Sequence, residues 1–148
     1  LPHAPEEHLE TPTHEGIGRW LRGREDVALT ERNGAVHAIS TRWQGQVLSL
    51  EGAVRVLAAG VPVARSKGGE WAPHPALALS SLLVPDAFPA LDLDEEGALA
   101  YLRGAALTAK DATGRTLVRH RGLPLGWANG AGGRWNNGWP AEWRIRMR

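Results

Sequence analysis

Apolar and polar positions alternate most clearly on either side of Asn33-Gly34, where Asp26-Val-Ala-Leu-Thr-Glu-Arg precedes the pair and Ala35-Val-His-Ala-Ile-Ser follows it. An Asn-Gly pair tolerates the left-handed backbone of a two-residue turn, so this stretch predicts a β-hairpin. Upstream, Gly16 to Gly23 predicts a short turn of helix carrying Ile17, Trp20 and Leu21. Residues 1–14 mix Pro, His and Glu without an apolar period and read as a linker or frayed terminus. The irregular spacing of His3, His8 and His14 fits a solvated linker better than a metal site.

Beyond the hairpin, Ser49 is placed to cap a helix with Leu50, Val54 and Leu57 on one face, ended by Gly60 before a strand from Val61 to Ala64. Lys67-Gly68-Gly69-Glu70 reads as a turn. Pro73 and Pro75 mark a helix start, Ala76 to Leu83 is apolar nearly all round and expected to be buried, and Pro85 stops it. Leu93 to Arg103 carries the clearest helical signals. Asp94 is the N-cap, Glu95 and Glu96 suit the positive end of the dipole, Leu99, Tyr101 and Leu102 face inward, and Gly104 terminates it. Thr116 to Arg121, Leu123 to Asn129 and Arg134 to Trp135 predict short strands joined by Gly-rich turns. The expected class is α+β, a small barrel or pseudo-barrel with flanking helices. Its expected organisation is a linker over 1–14, a helix turn and hairpin over 15–45, and the main domain over 46–148.

Composition narrows the function classes. The 148 residues hold no cysteine, which excludes disulfides, thiolate metal sites and cysteine nucleophiles in this chain and favours a cytoplasmic setting. No apolar run approaches the roughly 20 residues of a spanning helix, so no membrane association is expected. The opening at Leu1, followed by the polar stretch to His14, reads as the start of a piece cut from a longer polypeptide. A net charge of +1 hides an asymmetry. From Arg103 onward nine Lys or Arg stand against two acids, a net +7, while the first 102 residues carry eight bases and fourteen acids, a net −6. A basic end of this kind points to a polyanion partner. Eight of its nine bases are arginine, whose planar fork matches phosphate.

Trp127, Trp135, Trp139 and Trp143 crowd this basic end, interleaved with Arg134, Asn136, Asn137 and Arg144. An indole face stacks on an unpaired base for about 1–3 kcal/mol, arginine holds phosphate and asparagine reads a base edge, a combination suited to single-stranded or looped RNA. Large aromatics also build cores, so two or three of the four indoles are expected inside. There is no Ser-His-Asp pattern and no paired metal-ligand spacing, and Gly130-Ala-Gly-Gly133 lacks the Lys-Ser/Thr and the helix of a phosphate loop. His74 and His120 read as structural or surface residues, and the acids at Asp92, Asp94, Glu95 and Glu96 as the start of a helix.

Gly122 to Arg144, "GLPLGWANGAGGRWNNGWPAEWR", resembles the C-terminal signature of bacterial Nop/Sun-type rRNA cytosine-5 methyltransferases, approximately PLGWGK…G.LKNHYPKGLR. "WAPHPALAL" (Trp71 to Leu79) and "YLRG" (Tyr101 to Gly104) match two upstream motifs of that family in order and spacing, so the resemblance runs over about residues 35–144. It implies a PUA-like RNA-binding module that follows a catalytic domain, the latter binding S-adenosylmethionine and carrying the catalytic cysteines. The partners it implies are rRNA and that catalytic domain, with no cofactor, metal or catalytic residue in this chain. Gly126, Trp127, Asn137, Trp139, Pro140 and Arg144 occupy motif positions. With the basic strand residues they give an expected RNA-binding set of Arg119, Arg121, Trp127, Arg134, Asn137, Trp139 and Arg144. Three lysines of the family pattern are replaced, by Asn129, Asn136 and Ala141. An alternative reading is a protein-interaction or stabilising module packed on its own catalytic domain.

Overall fold

The structure, a computed structural model, describes residues 14–146. The linker expected over 1–14, with His3 and His8, therefore lies outside the described residues except for His14. That residue belongs to the fold. It precedes helix α1 (Glu15–Gly18), and its ring meets Trp71 edge-on at 5.9 Å. Helix α1 is a single turn that buries Ile17, and the chain after it is tied down by Arg22 N–H donating to Leu82 O at 2.7 Å and Val84 N–H to Trp20 O at 2.8 Å.

The hairpin forms as its alternation predicts, with β1 (Val27–Arg32) and β2 (Ala35–Ser40) in antiparallel register. Asn33 and Gly34 both hold positive φ, 51° and 73°, the geometry that matches strand twist in a two-residue turn. Helix α2 (Thr41–Glu51) corrects the expectation for the next segment. It starts directly after the strand at Ser40, and Ser49 lies inside it with its hydroxyl donating back to Gly45 O at 3.0 Å rather than capping. Because the helix ends at Glu51, Leu50, Val54 and Leu57 never align into one buried stripe, and all three are exposed.

Strands β3 (Val61–Lys67) and β4 (Glu70–Pro73) follow, turned at Gly68-Gly69 with φ of 62° and 83°. Strand β2 pairs with β3, so one antiparallel sheet of order β1-β2-β3-β4 runs through the boundary expected at residue 45. That boundary falls inside α2, and the hairpin is half of a larger sheet rather than a separate segment. Helix α3 (Pro75–Ala78) is shorter than its apolar run suggested. The Ser80 hydroxyl accepts from Leu82 N–H at 2.9 Å and competes with the helical ladder, leaving Leu77, Ala78 and Leu83 buried but Leu79 exposed.

The second sheet comprises β5 (Ala90–Leu93), β6 (Leu107–Thr108), β7 (Gly114–His120), β8 (Leu123–Ala131) and β9 (Arg134–Asn137), in the order β5-β7-β8-β9-β6. Only β5 and β7 are parallel; the other pairs are antiparallel. Between β5 and β6 lies α4 (Glu95–Leu102), capped by Asp94, whose Oδ1 accepts from Gly97 N–H at 2.8 Å, and closed by Gly104 at φ 88°. It turns Ala98 and Tyr101 inward, while Leu99, expected on that face, is 38% exposed. With a curled half-barrel sheet, a second sheet and few helices, the fold is α+β and PUA-like.

Two cores lie on opposite faces of β7 and β8. Leu117 and Trp127 pack with Ile17, Val36, Val63 and Leu77 of the first sheet and its helices. Their neighbours Val118 and Ala128 point the other way, to Tyr101 and the half-buried Leu93, Leu125, Trp135 and Trp139. Period-two alternation thus makes one pair of strands the wall between two hydrophobic layers. Among the described residues, no helix is long and apolar enough to cross a membrane.

Candidate nucleic-acid interface

Tyr101, Gly104, Gly126, Trp127, Asn137, Trp139 and Arg144 come from three separate stretches of sequence, and they converge on one structural knot. The Trp127 indole is 5% exposed, donates Nε1–H to His74 O at 3.0 Å and packs on Phe88 at 4.6 Å between ring centroids. An indole so enclosed has no free face for a base, which corrects its place in the expected RNA-binding set. Its carbonyl accepts from the Tyr101 hydroxyl and from Gly138 N–H, both at 2.9 Å. A Cβ at Gly126 would run into Tyr101 Oη, which is why glycine precedes this tryptophan.

Asn137 is likewise committed inside the fold. Its amide donates to Tyr101 O at 2.7 Å and Ala105 O at 2.8 Å, carbonyls in the last turn of α4 and just beyond its end, and its Oδ1 accepts from Trp139 N–H at 2.8 Å. With these bonds made it has no amide left to read a base edge. Arg144 lies over Gly104, so close that a Cβ there would meet its guanidinium. Trp139 is half-buried, 6.0 Å from the Tyr101 ring and 5.4 Å from that of Trp143. At 39% exposure, Trp143 is the outward indole of this cluster, a residue missing from the expected set.

Cross-strand register builds a polar surface elsewhere. Arg115 on β7 stands opposite Asn129 on β8, which stands opposite Asn136 on β9, and directly opposed side chains share a face. All three are exposed, and Arg134, two residues before Asn136, extends the row on the same face. Asn129 and Asn136 are two of the positions where the resemblance calls for lysine. The row begins where the first core stops, since Leu117 and Trp127, two residues inward on their strands, are covered by the first sheet. Desolvation lowers the Arg115 pKa, Glu70 opposes that, and the charge of Arg65, an exposed arginine on β3, adds to it. Arg115 was absent from the expected set because its partners are aligned only by strand pairing.

Arg119 and Arg121 belong to the other end of β7, about 13 Å and about 20 Å from Arg115 along an extended strand. Arg119 is held by Asp92 in a two-point fork, Nε at 3.0 Å and Nη2 at 2.7 Å. That bond lowers the Asp92 pKa and raises that of Arg119. Arg121 sits in the turn after β7 at φ 50°, 4.0 Å from Glu95, with both side chains largely in solvent. The expected set is therefore split. Arg134 joins the Arg115 row, Arg119 and Arg121 lie at the far end beside acids, and Trp127, Asn137 and Trp139 serve the packing.

Other candidate chemistry resolves into structure. His74 caps α3 by accepting from Ala76 N–H at Nδ1, 3.1 Å, and burial, then Arg65, then His37 push its pKa down. His120 Nδ1 lies 2.8 Å from Leu93 O. Gly132 and Gly133, at φ 60° and 73°, turn β8 into β9 and open no helix, so this glycine run offers no cradle for a cofactor phosphate. No group of His, Asp and Glu side chains able to hold a metal occurs among the described residues.

A family model describing the PUA domain of the methyltransferase RsmF matches residues 88–145, the stretch holding β5 to β9 and α4. No curated protein matches the chain. The matched family is non-catalytic and tied to methyltransferases, an accessory domain of RNA-binding type. Residues 88–145 are thus similar to the PUA domain of Sun/RsmF-type methyltransferases.

Proposed function

We propose that this chain is the RNA-binding accessory part of an S-adenosylmethionine-dependent rRNA cytosine-5 methyltransferase, and that it contacts RNA through the Arg115, Asn129, Asn136 and Arg134 row. The observation that carries this reading is the row itself, an exposed line of phosphate and amide-type contacts set by register across three strands. The guanidinium groups take phosphates, the asparagine amides take sugar or base edges, and Trp143 offers a partly open indole at the same end of the sequence. Cofactor binding and catalysis belong to a separate catalytic domain, since that chemistry uses cysteine and these 148 residues have none. The same lack of cysteine fits a cytoplasmic setting.

Binding of the chain to rRNA helices with unpaired bases, followed across a salt series, tests the proposal. Affinity should fall as salt rises because phosphate contacts release counterions, and Arg115→Ala and Arg134→Ala should each reduce the log-log salt slope by about 0.7–0.9. Absence of binding at low salt refutes it.

A second reading, a module that packs on its catalytic domain, draws on α2. Trp43, Leu48 and Leu50 from this helix, with Val54 and Leu57 after it, are all exposed. Trp43 and Leu50 share one helical face and line one cleft beside the first sheet, and exposed apolar surface of this kind is characteristic of protein contacts. Trp43→Ser with Leu50→Ser should leave RNA binding intact and weaken association with the catalytic domain. Unchanged association removes this reading.

A further inference from the structure

Outside the PUA-like sheet, a cleft of about 660 Å³ opens between the chain around α1, strand β4 and the turn at Pro85–Ala87. Its walls include Trp20, Trp71 and Ile17, and Arg19 and Asp86 are exposed on its rim. Each indole is braced by a ring that does not line the cleft. Phe88 lies 5.5 Å from Trp20, and His14 meets Trp71 edge-on. Both indoles line the cleft. Small-molecule sites commonly run to about 300–1,000 Å³, and this cleft combines aromatic walls with one anion and one cation.

We propose that this cleft receives one unpaired RNA base, with guanine preferred. The inference rests on the RNA-binding reading above and adds a base-specific site to it. Both indoles are half-buried and held in place, so stacking on them has little ordering cost, and aromatic stacking accepts any base. Asp86 supplies the discrimination. An ionised carboxylate is acceptor-only, and its two oxygens match the adjacent N1–H and N2–H donors of guanine, whereas the uracil edge would set a carbonyl against it. Arg19 on the same rim takes the nucleotide's phosphate and disfavours a cationic guest, the other ligand that two indoles and a carboxylate could cage.

The test uses the whole chain with indole N–H signals followed by NMR, and three short single-stranded RNAs: a uridine tract with one central guanosine, the same tract all uridine, and the same tract with an abasic centre. The guanosine strand should shift the Trp20 and Trp71 signals and bind at least about 5-fold tighter than the abasic strand, the smallest gain expected of one stacked base. Trp71→Ala should abolish that difference while leaving abasic binding unchanged. Asp86→Asn, at an exposed position outside both cores, should remove the guanosine preference even if Trp71→Ala fails to fold. Binding of all three strands with both indole signals unmoved overturns the cleft proposal and leaves the RNA-binding reading standing. No binding of any strand overturns both. Signals that respond to tetramethylammonium but not to guanosine would reassign the cleft to a cation.

Discussion

The Tyr101 hydroxyl donates to the carbonyl oxygen of Trp127 at 2.9 Å, across twenty-six residues of sequence and through a buried interior. Helix α4 is fastened by this bond to the strand that separates the two cores. Tyr101→Phe removes the donor while the carbonyl keeps Gly138 N–H, so chemical denaturation should show a loss of about 1–2 kcal/mol with RNA affinity unchanged. Burial also raises the Tyr101 pKa far above its ordinary value. A raised value means that the unfolded chain ionises first, so this residue's stabilisation is intact below about pH 10 and declines above it. The decline should be shallower in Tyr101→Phe.

Gly126→Ala places a methyl against Tyr101 Oη and the Trp139 ring. Overpacking of this kind costs about 1–3 kcal/mol, read as a lowered melting temperature. Gly16→Ala meets open space at an ordinary backbone angle and should differ little from the parent chain.

The tryptophans should separate by role. Trp127→Ala removes a core indole together with its bond to His74 O and should cost about 3–5 kcal/mol, a large share of the stability of an ordinary domain. Trp143→Ala should leave stability within about 1 kcal/mol of the parent and weaken RNA binding instead.

Asn129→Lys and Asn136→Lys put back the cations of the family pattern on the exposed row. Each should tighten RNA binding at low salt and steepen the salt slope by about 0.7–0.9, with little change in melting temperature. Unchanged slopes would place the RNA path elsewhere on the surface.

Acidification should loosen the start of α3. His74 uses a neutral Nδ1 to accept from Ala76 N–H, and its pKa is depressed, first by burial and then by Arg65 and His37. The folded state therefore binds this proton later than the unfolded chain, and the His74 contribution is present above about pH 6.5 and lost as pH falls below it. Amide hydrogen exchange at Ala76 and Leu77 should quicken over that range, and His74→Asn, which keeps a neutral capping acceptor, should suppress the change.

Features encoded locally were legible in the sequence. Asn33-Gly34 fixes a turn by its own backbone preferences, and Asp94 with Gly104 brackets α4 by cap chemistry within a few residues. Features created by distant partners were not. Strand β5 is a strand because β7 lies beside it. Gly126 needs its small size because of Tyr101, and Asn137 is occupied by carbonyls 32 and 36 residues earlier, so motif positions that read as contact residues prove to be packing residues. Arg115 joins Asn129 and Asn136 only through register, which no local spacing reveals.

The wall formed by β7 and β8 bears on how the molecule can be divided. A fragment trimmed to residues 88–145 would keep Leu117, Trp127 and Phe88 but lose Val36, Val63 and Leu77 from above them, together with the His74 carbonyl that holds the indole. One side of its sheet would be bare hydrocarbon, a template for self-association. The span that defines kinship is therefore smaller than the span that folds. The described chain should melt in one cooperative step, and the trimmed piece should aggregate rather than display a transition of its own.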